Sequence, residues 1–285
     1  MHQLEILQPR SLADASRMLT DYQDEAKVVG AGTAIVLMLT QRLIAPRYLV
    51  SLGHLPNLRG LEYEPGVGLR IGALVTHYEM ESSPVVRQAV PALAETFHQV
   101  ANIRIRHQAT VGGVLCEADY ASDPPSMLVA LRACVRAVSV RGERWIELTD
   151  FFQDFFLTAL EPDEIVTEIF VPEMAPDSSA TYIKFNSRSS EDRPCVGIAA
   201  VVERENGVCQ AVRVVIGAAS AIPQEVIQAE MLASGRPMTE DLAREIGRAY
   251  AQAIDPISDM RGTDWYRRQV IEALVRRALL HAARA

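Results

Sequence analysis

The sequence predicts an α+β fold that ends in a domain of three antiparallel strands and three helices. Segments with helical spacing and segments with strand-like apolar runs follow one another without an internal repeat. A strong turn signal, Asn206-Gly207, separates two of the apolar runs. The stretch Pro172–Ser179 is rich in proline, serine and acidic residues and is the best linker candidate. We therefore expect two N-terminal parts, 1–57 and 58–175, and a C-terminal domain, 176–285.

The first part is predicted to be a strand–helix–strand unit. Ser11 can cap a helix whose apolar residues recur at helical spacing. The strand Lys27–Val29 leads into the small-residue segment Gly30-Ala31-Gly32-Thr33-Ala34, which an apolar helix from Ile35 to Leu43 and a strand from Tyr48 to Leu52 follow. A glycine turn before a helix suits an anion, because backbone N–H groups approach it without an intervening Cβ.

The middle part is predicted to be a hairpin followed by helices and strands. The hairpin turns at Pro65-Gly66, and Thr76 with Glu79 forms a capping box. The further elements are a helix from Pro91 through Phe97 and Ile103, a second glycine loop Thr110-Val111-Gly112-Gly113-Val114, a helix that Asp123 caps and that runs to Leu131, and strands at Cys134–Val140 and Ile165–Val171.

The C-terminal domain is predicted to place its strands before its helices. Its elements are strands at Thr181–Asn186, Cys195–Glu203 and Val208–Gly217, and helices near 223–233, 239–253 and 263–281.

Composition and charge limit the class of function. Of the 285 residues, 49% are hydrophobic and 22% are charged, as in an ordinary globular protein. A net charge of −8 repels nucleic acid and anionic lipid, so we expect no nucleic-acid partner. The uncharged stretch Val28–Gln41 is too short to span a bilayer, and no signal sequence opens the chain. We expect a soluble cytoplasmic protein without a transmembrane segment.

The residues that carry chemistry show neither a metal-site pattern nor a catalytic pattern. An acidic trio, Glu117, Asp119 and Asp123, has no histidine at ligand spacing, so we expect no metal site and interpret Glu117 and Asp119 as groups that cap or solvate a helix start. Redox chemistry would require a bound cofactor. The cysteines lack CxxC spacing and are expected to be buried free thiols: Cys116, Cys134, Cys195 and Cys209.

The two glycine loops together suit a dinucleotide pyrophosphate, although each alone is typical of a tight turn. Neither fits GxGxxG, and GxxxxGK[ST] is absent, so a Rossmann site and a P-loop are not supported.

Both loops resemble motifs of the FAD-binding middle subunit of the molybdenum hydroxylases, the family that contains carbon monoxide dehydrogenase and xanthine dehydrogenase. The family's first loop, Ala-Gly-Gly-Thr or Ala-Gly-Gly-His-Ser, is similar to residues 30–34, and its Thr-Ile-Gly-Gly-Asn is similar to residues 110–114. Further similar stretches follow in family order: Ile71-Gly72-Ala73 with Thr76-His77, Ala121-Ser122-Asp123, Leu160-Glu161-Pro162 with Thr167-Glu168, Lys184-Phe185, and Asp259-Met260-Arg261-Gly262 before Tyr266-Arg267-Arg268.

The resemblance implies FAD as cofactor and a two-part FAD-binding domain of the PCMH/vanillyl-alcohol-oxidase type. It implies that two loops, Gly30-Ala31-Gly32-Thr33-Ala34 and Thr110-Val111-Gly112-Gly113-Val114, hold the pyrophosphate and the ribityl chain, mostly through backbone amides. By the same resemblance, Asp123 bonds the ribityl or ring side of FAD. Lys184 lies near the isoalloxazine edge and favours the anionic reduced flavin.

The resemblance further implies an electron-transfer subunit of an oxidoreductase complex. Its partners would be a molybdenum-cofactor large subunit and a [2Fe-2S] small subunit, in a heterotrimer whose pairing into a dimer of heterotrimers stays open. Ala31, Val114 and Arg193 differ from the family pattern, which leaves a flavin-free structural subunit as an alternative. A stand-alone FAD oxidoreductase of the same fold is the other alternative.

Several other side chains have a purely structural interpretation, either alone or beside a functional one. Lys184 could be a plain edge-strand lysine, and His77 could face the flavin or have no role. Trp145 and Trp265 are expected to be packing anchors. Four arginines of the last helix suit either its C-terminal dipole or a partner interface: Arg267, Arg268, Arg276 and Arg277.

Overall fold

A parallel three-stranded sheet forms the first part of the structure, a computed structural model that describes residues 4–284. The strands are ordered β1-β3-β2. Ser11 caps the first helix as predicted, since its Oγ accepts the Asp14 N–H at 3.1 Å. The second helix ends at Thr40 rather than Leu43, because the chain turns where Arg42 has a positive φ of 60°. The elements are β1 (Glu5–Leu7), α1 (Leu12–Tyr22), β2 (Ala26–Val29), α2 (Ile35–Thr40) and β3 (Tyr48–Ser51).

A five-stranded antiparallel sheet and a group of short helices form the second part. The sheet order is β4-β5-β10-β6-β7, and a small hairpin, β8–β9, lies beside it. The elements are β4 (Leu61–Glu64), β5 (Gly68–Gly72), α3 (His77–Ser82), α4 (Pro84–Ala89), α5 (Pro91–His98), α6 (Ile103–Arg106), α7 (Val111–Glu117), α8 (Pro124–Ala130), β6 (Cys134–Ser139), β7 (Gly142–Glu147), α9 (Leu148–Phe151), β8 (Phe152–Asp154), β9 (Leu157–Thr158) and β10 (Ile165–Pro172).

The helices of this part confirm one prediction and correct two. The capping box of Thr76 and Glu79 is present. The helix that begins at Pro91 does not continue through Ile103: Ala101 has a positive φ of 43°, and the Asn102 side chain caps a new helix. The second glycine segment is not a loop either, because it forms the first turn of α7.

The C-terminal domain is an antiparallel sheet β11-β12-β13 covered by helices, as predicted. Asn206 and Gly207 both have positive φ, 51° and 81°, which makes the predicted turn between β12 and β13. The elements are β11 (Ser178–Phe185), β12 (Val196–Glu205), β13 (Val208–Gly217), α10 (Ile227–Glu230) with a 3₁₀ turn (Met231–Ala233), α11 (Glu240–Ala253) and α12 (Asp264–Ala282).

Strand β12 is buried on both faces and joins the C-terminal domain to the second part. Ile198 and Ala200 pack against the core beneath α11 and α12, whereas Ala199 and Val201 belong to the core that includes α5 and α8. This double burial explains why the strand is a nearly continuous apolar run. The C-terminal sheet therefore lies between its own helices and the second part, so side chains on its inner face contact that part directly.

Arg267 is a core residue of the C-terminal domain, neither a dipole group nor a partner surface. It is 0% exposed and donates from Nε to the Cys195 carbonyl at 3.1 Å and from a terminal nitrogen to Asp259 Oδ1 at 2.7 Å. The other arginines that the structure pairs on α12 bond within the chain, Arg268 to Asp255 and Arg276 to Glu240.

Two expectations about packing residues are wrong. Trp145 is 46% exposed and Trp265 is 67% exposed, so neither is a buried core anchor. Cys195 and Cys209 are buried free thiols as expected and Cys134 is half-buried, but Cys116, on the short helix α7, is exposed. Within residues 4–284 no helix is long and apolar enough to cross a membrane.

Candidate functional site

The first glycine segment is a turn whose backbone donors are unused. It connects β2 to α2, and Gly32 has a φ of +85°, a conformation that glycine adopts at low cost. The Gly32 carbonyl accepts the Val36 N–H at 3.0 Å. Among residues 4–284, the amides of 31–34 have no hydrogen-bond acceptor. The turn thus presents a set of adjacent N–H donors.

The second glycine segment uses its own amides inside the fold. Thr110 caps α7, since its Oγ1 accepts the Gly113 N–H at 3.2 Å. The Val111 N–H donates to Val75 at 2.9 Å and the Gly112 N–H to Ala73 at 2.8 Å. Because these N–H donors already have partners, the segment can pack closely against an anion but cannot donate these hydrogen bonds to it.

Three glycines of the two segments pack too closely for a side chain, and one of them, Gly30, lies against the other segment. A Cβ on Gly30 would lie 3.3 Å from Thr110 Oγ1 and 3.1 Å from Leu74. A Cβ on Gly113 would lie 2.7 Å from Thr110 Oγ1, and one on Gly112 would lie 2.7 Å from Ala73 Cβ. The structure therefore brings together the two segments that the sequence predicted to converge.

Asp123 and Lys184 form a buried ion pair between the second part and the C-terminal domain. Lys184 Nζ donates to Asp123 Oδ2 at 3.0 Å and to the Gln99 carbonyl at 2.8 Å, and both charged side chains are 4% exposed. Tyr182 donates to the other carboxylate oxygen, Oδ1, at 2.8 Å. Burial raises the pKa of Asp123, while Lys184 and Tyr182 oppose that rise.

This pair corrects two interpretations of its members. Strand β11 is an edge strand, but the Lys184 ammonium is buried, so it is not a plain edge-strand lysine. Asp123 does not cap α8 through its side chain, because both carboxylate oxygens bind groups on β11. In the described part of the chain, no hydrogen bond or ion pair links this pair to the glycine segments.

Arg193 ties the loop after β11 to the end of α7. Its Nε lies 2.6 Å from Asp119 Oδ2, and a terminal guanidinium nitrogen lies 3.6 Å from Glu117 Oε1. These acids therefore lie at the end of α7 and pair with an arginine, rather than capping a helix start. Burial raises the pKa of Glu117 to about 7, Arg193 opposes this and Asp119 adds to it. Over residues 4–284 no cluster of three or more His, Cys, Asp or Glu side chains could hold a metal ion.

His77 lies in the core and does not face an open site. It is 2% exposed, and its ring packs edge-on against Phe97 with a centroid distance of 5.0 Å. Burial lowers the pKa of His77 to about 4, so the ring is neutral.

Sequence reasoning missed two members of the buried network, Tyr182 and Gln99. Tyr182 could have been found from its position two residues before Lys184, because residues i and i+2 of a strand share a face. Gln99 contributes only its carbonyl, which no side-chain pattern reveals.

Comparisons with protein families match nearly the whole chain. A family described as "FAD binding domain in molybdopterin dehydrogenase" matches residues 2–174. A second, "CO dehydrogenase flavoprotein C-terminal domain", matches residues 166–282.

Individual relatives agree with these matches. The nicotine 6-hydroxylase medium subunit of Paenarthrobacter nicotinovorans is 32% identical over 274 residues, which is 96% of this chain and 95% of that protein. The carbon monoxide dehydrogenase medium chain of Hydrogenophaga pseudoflava is 27% identical, over 95% of this chain and 94% of that protein.

Solved structures share the fold along the whole chain. A carbon monoxide dehydrogenase structure from Hydrogenophaga pseudoflava, lacking the Mo-pyranopterin moiety, superposes with a TM-score of 0.94 at 27% identity, covering 99% of this chain and 97% of that one. Quinoline 2-oxidoreductase from Pseudomonas putida 86 gives a TM-score of 0.92 at 27% identity, with the same coverage of each chain. The resemblance, the predicted fold class and FAD as cofactor are thus confirmed. The chain belongs to the family of FAD-binding medium subunits of molybdenum hydroxylase complexes and is an oxidoreductase subunit.

Proposed function

We propose that this chain transfers electrons from the [2Fe-2S] centres of a partner subunit, through FAD, to an external acceptor. The observation that carries the proposal is the set of adjacent amides at 31–34, which have no acceptor within residues 4–284 and directly follow Gly30, the residue that contacts the second glycine segment. A dinucleotide pyrophosphate is an anion that such donors hold well. Bound flavin links one-electron and two-electron chemistry, which suits a step between iron–sulfur centres and a quinone, NAD⁺ or oxygen.

The two glycine segments would have different roles toward FAD. We propose that Gly30 to Ala34 bind the pyrophosphate through backbone amides. Thr110 to Val114 would support that turn by close packing and line the cofactor, because the amides from Val111 to Gly113 already donate within the fold. Ala31 has a negative φ, so its Cβ is compatible with the turn.

The buried pair would provide a fixed positive charge for the flavin. The Lys184 ammonium has three N–H donors, of which Asp123 and Gln99 accept two. We propose that its remaining donor and its charge lie toward the isoalloxazine edge and favour the anionic reduced flavin. Asp123 would keep Lys184 charged in a buried position and bond the ribityl or ring side.

The partners belong to the proposal as well. The relatives are named as medium subunits or chains, and one is named as a subunit of a dehydrogenase complex. We propose a molybdenum-cofactor large subunit and a [2Fe-2S] small subunit as partners in a heterotrimer. The FAD-binding domain match argues against a flavin-free structural subunit. The boundaries 57/58 and 175/176 between the three parts stay a prediction.

The test is to remove FAD from the complex purified through a tag on this chain. The iron–sulfur centres are reduced with limiting dithionite, excess reagent is removed, and oxidation by a quinone, NAD⁺ or oxygen is followed. We expect the stripped complex to keep its reducible iron–sulfur centres and to lose electron delivery to the acceptor, which added FAD restores. Equal delivery with and without FAD would contradict the proposal. Turnover of a small molecule by the isolated chain would favour the stand-alone enzyme.

A further inference from the structure

Tyr182 lies at the contact between the C-terminal sheet and the second part of the chain. A Cβ on Gly197, in the neighbouring strand, would lie only 2.3 Å from the Tyr182 hydroxyl oxygen. Gly197 is also the register partner of Lys184 in the β11–β12 ladder. The missing side chain on β12 therefore leaves room for the Tyr182 hydroxyl beside the lysine.

The hydroxyl fixes one half of the Asp123 carboxylate. It donates to Oδ1 at 2.8 Å, while Lys184 donates to Oδ2 at 3.0 Å. Burial and the Asp123 charge raise the pKa of Tyr182 well above its usual value, so the hydroxyl stays protonated and remains a donor. With both oxygens bound by groups on one strand, the carboxylate has a single orientation.

We propose that Tyr182 is a positioning residue that acts through Asp123: it holds the carboxylate in the orientation that fixes the Lys184 ammonium at the flavin. The inference rests on the proposed function, which places Lys184 near the isoalloxazine edge. Without the hydroxyl, Asp123 has Lys184 as its only side-chain donor among residues 4–284, and the carboxylate can rotate about that bond. Lys184 then keeps its bond to the Gln99 carbonyl but loses a fixed carboxylate partner, so its ammonium is held less firmly at the ring.

The hydroxyl also affects the ionisation of Asp123. The titratable and charged groups that face this carboxylate are Lys184 and Tyr182 on β11 and Arg193 in the loop that follows. Ser126, on α8, bonds the Asp123 backbone carbonyl and not the carboxylate. Removal of a donor to the charged form raises the pKa of a carboxyl group, by about one pH unit for a hydrogen bond of ordinary strength.

The experiment compares Tyr182→Phe with Tyr250→Phe in the full chain loaded with FAD. Tyr250 is a matched control, because it is a buried tyrosine of the same domain that donates to another buried carboxylate, Glu230, at 2.7 Å. The first readout is the ¹³C-carboxyl NMR titration of Asp123, whose signal Asp123→Asn identifies. The second is the pH dependence of the reduction potential of bound FAD.

We expect Tyr182→Phe to raise the Asp123 titration midpoint by about one pH unit, a tenfold change in proton affinity, and to move the break in the potential–pH curve with it. Tyr250→Phe should move neither. 3-Fluorotyrosine at position 182, a stronger donor, should move both midpoints to lower pH and covers the case in which the phenylalanine variant fails to fold.

Two outcomes overturn the inference in different ways. An Asp123 midpoint that is equal in wild type, Tyr182→Phe and the fluorotyrosine protein would refute the action of Tyr182 on Asp123. A midpoint that moves while the flavin potential stays unchanged, in these variants and in Lys184→Gln, would show that the pair lies away from the flavin. That result would contradict the proposed position of Lys184 at the isoalloxazine edge.

Discussion

Replacement of Gly32 by alanine tests whether the first glycine segment holds FAD. Gly32 has a φ of +85°, and an added Cβ would make only ordinary contacts, the nearest with Val36 at 3.4 Å. The cost is therefore backbone strain of about 1 kcal/mol, which the turn can relieve by rotating φ to negative values. That rotation would re-aim the amides of 31–34. Loss of one hydrogen bond to a charged group, about 1.5–3 kcal/mol, weakens FAD binding roughly 10- to 100-fold.

Gly66→Ala is the matched control for this strain. Gly66 has a φ of +81° in the β4–β5 turn, and an added Cβ there would meet nothing within 4 Å. Urea unfolding of the apoproteins should show a similar loss of stability in both variants, whereas FAD titration followed by flavin fluorescence should show weaker binding in Gly32→Ala alone. If the two variants bind FAD with equal affinity, the first segment does not hold the pyrophosphate.

Two further predictions concern the ion pairs of the structure. Burial raises the pKa of Glu117 from 4.5 to about 7, so the native protein loses stability as the pH rises through that interval. Glu117→Gln should abolish this loss and raise the unfolding free energy at neutral pH by about 1–3 kcal/mol. Urea unfolding at a series of pH values measures this change. A variant with the wild-type pH dependence would contradict that assignment. Arg267→Ala should cost about 3–5 kcal/mol of unfolding free energy, because it removes a buried cation and leaves Asp259 without its strongest partner. Arg277→Ala, an exposed residue of the same helix, should stay within about 0.5 kcal/mol of wild type, and equal losses in both variants would refute a core role for Arg267.

Local signals in the sequence were sufficient where the neighbouring residues decide the structure. Asn206-Gly207 defines its turn through positive φ, and Thr76 with Glu79 satisfies the helix start through side chains of the same segment. Both features depend on contacts within a few residues, so spacing alone predicts them.

Contacts distant in sequence account for the elements that sequence reasoning missed. Thr110 to Gly113 looks like a loop because glycine is a poor helix former, yet bonds from Val111 and Gly112 to carbonyls of the turn that follows β5 hold it as a helix start. Strand β7 was missed because its residues are largely exposed and several are charged, so that its pairing with β6 rather than an apolar pattern defines it. Neither feature leaves a local signal.

The candidate site was predictable to the level of its segments and not of its hydrogen bonds. The sequence predicted that the two glycine segments lie together, and the structure shows them in contact. It did not show that the Lys184 ammonium is bound by Asp123 and a backbone carbonyl, because that contact depends on how the C-terminal sheet packs on α5 and α8. The depth of burial of Arg267 is likewise a property of tertiary packing.

The flavin content of the purified chain tests FAD binding most directly. A visible absorption spectrum, followed by heat release and mass identification of the chromophore, gives the identity and stoichiometry of the cofactor. We expect a flavin spectrum and one released FAD per chain, whether the flavin is retained on purification or restored by incubation with FAD. A chain that stays colourless after incubation with FAD would contradict FAD binding.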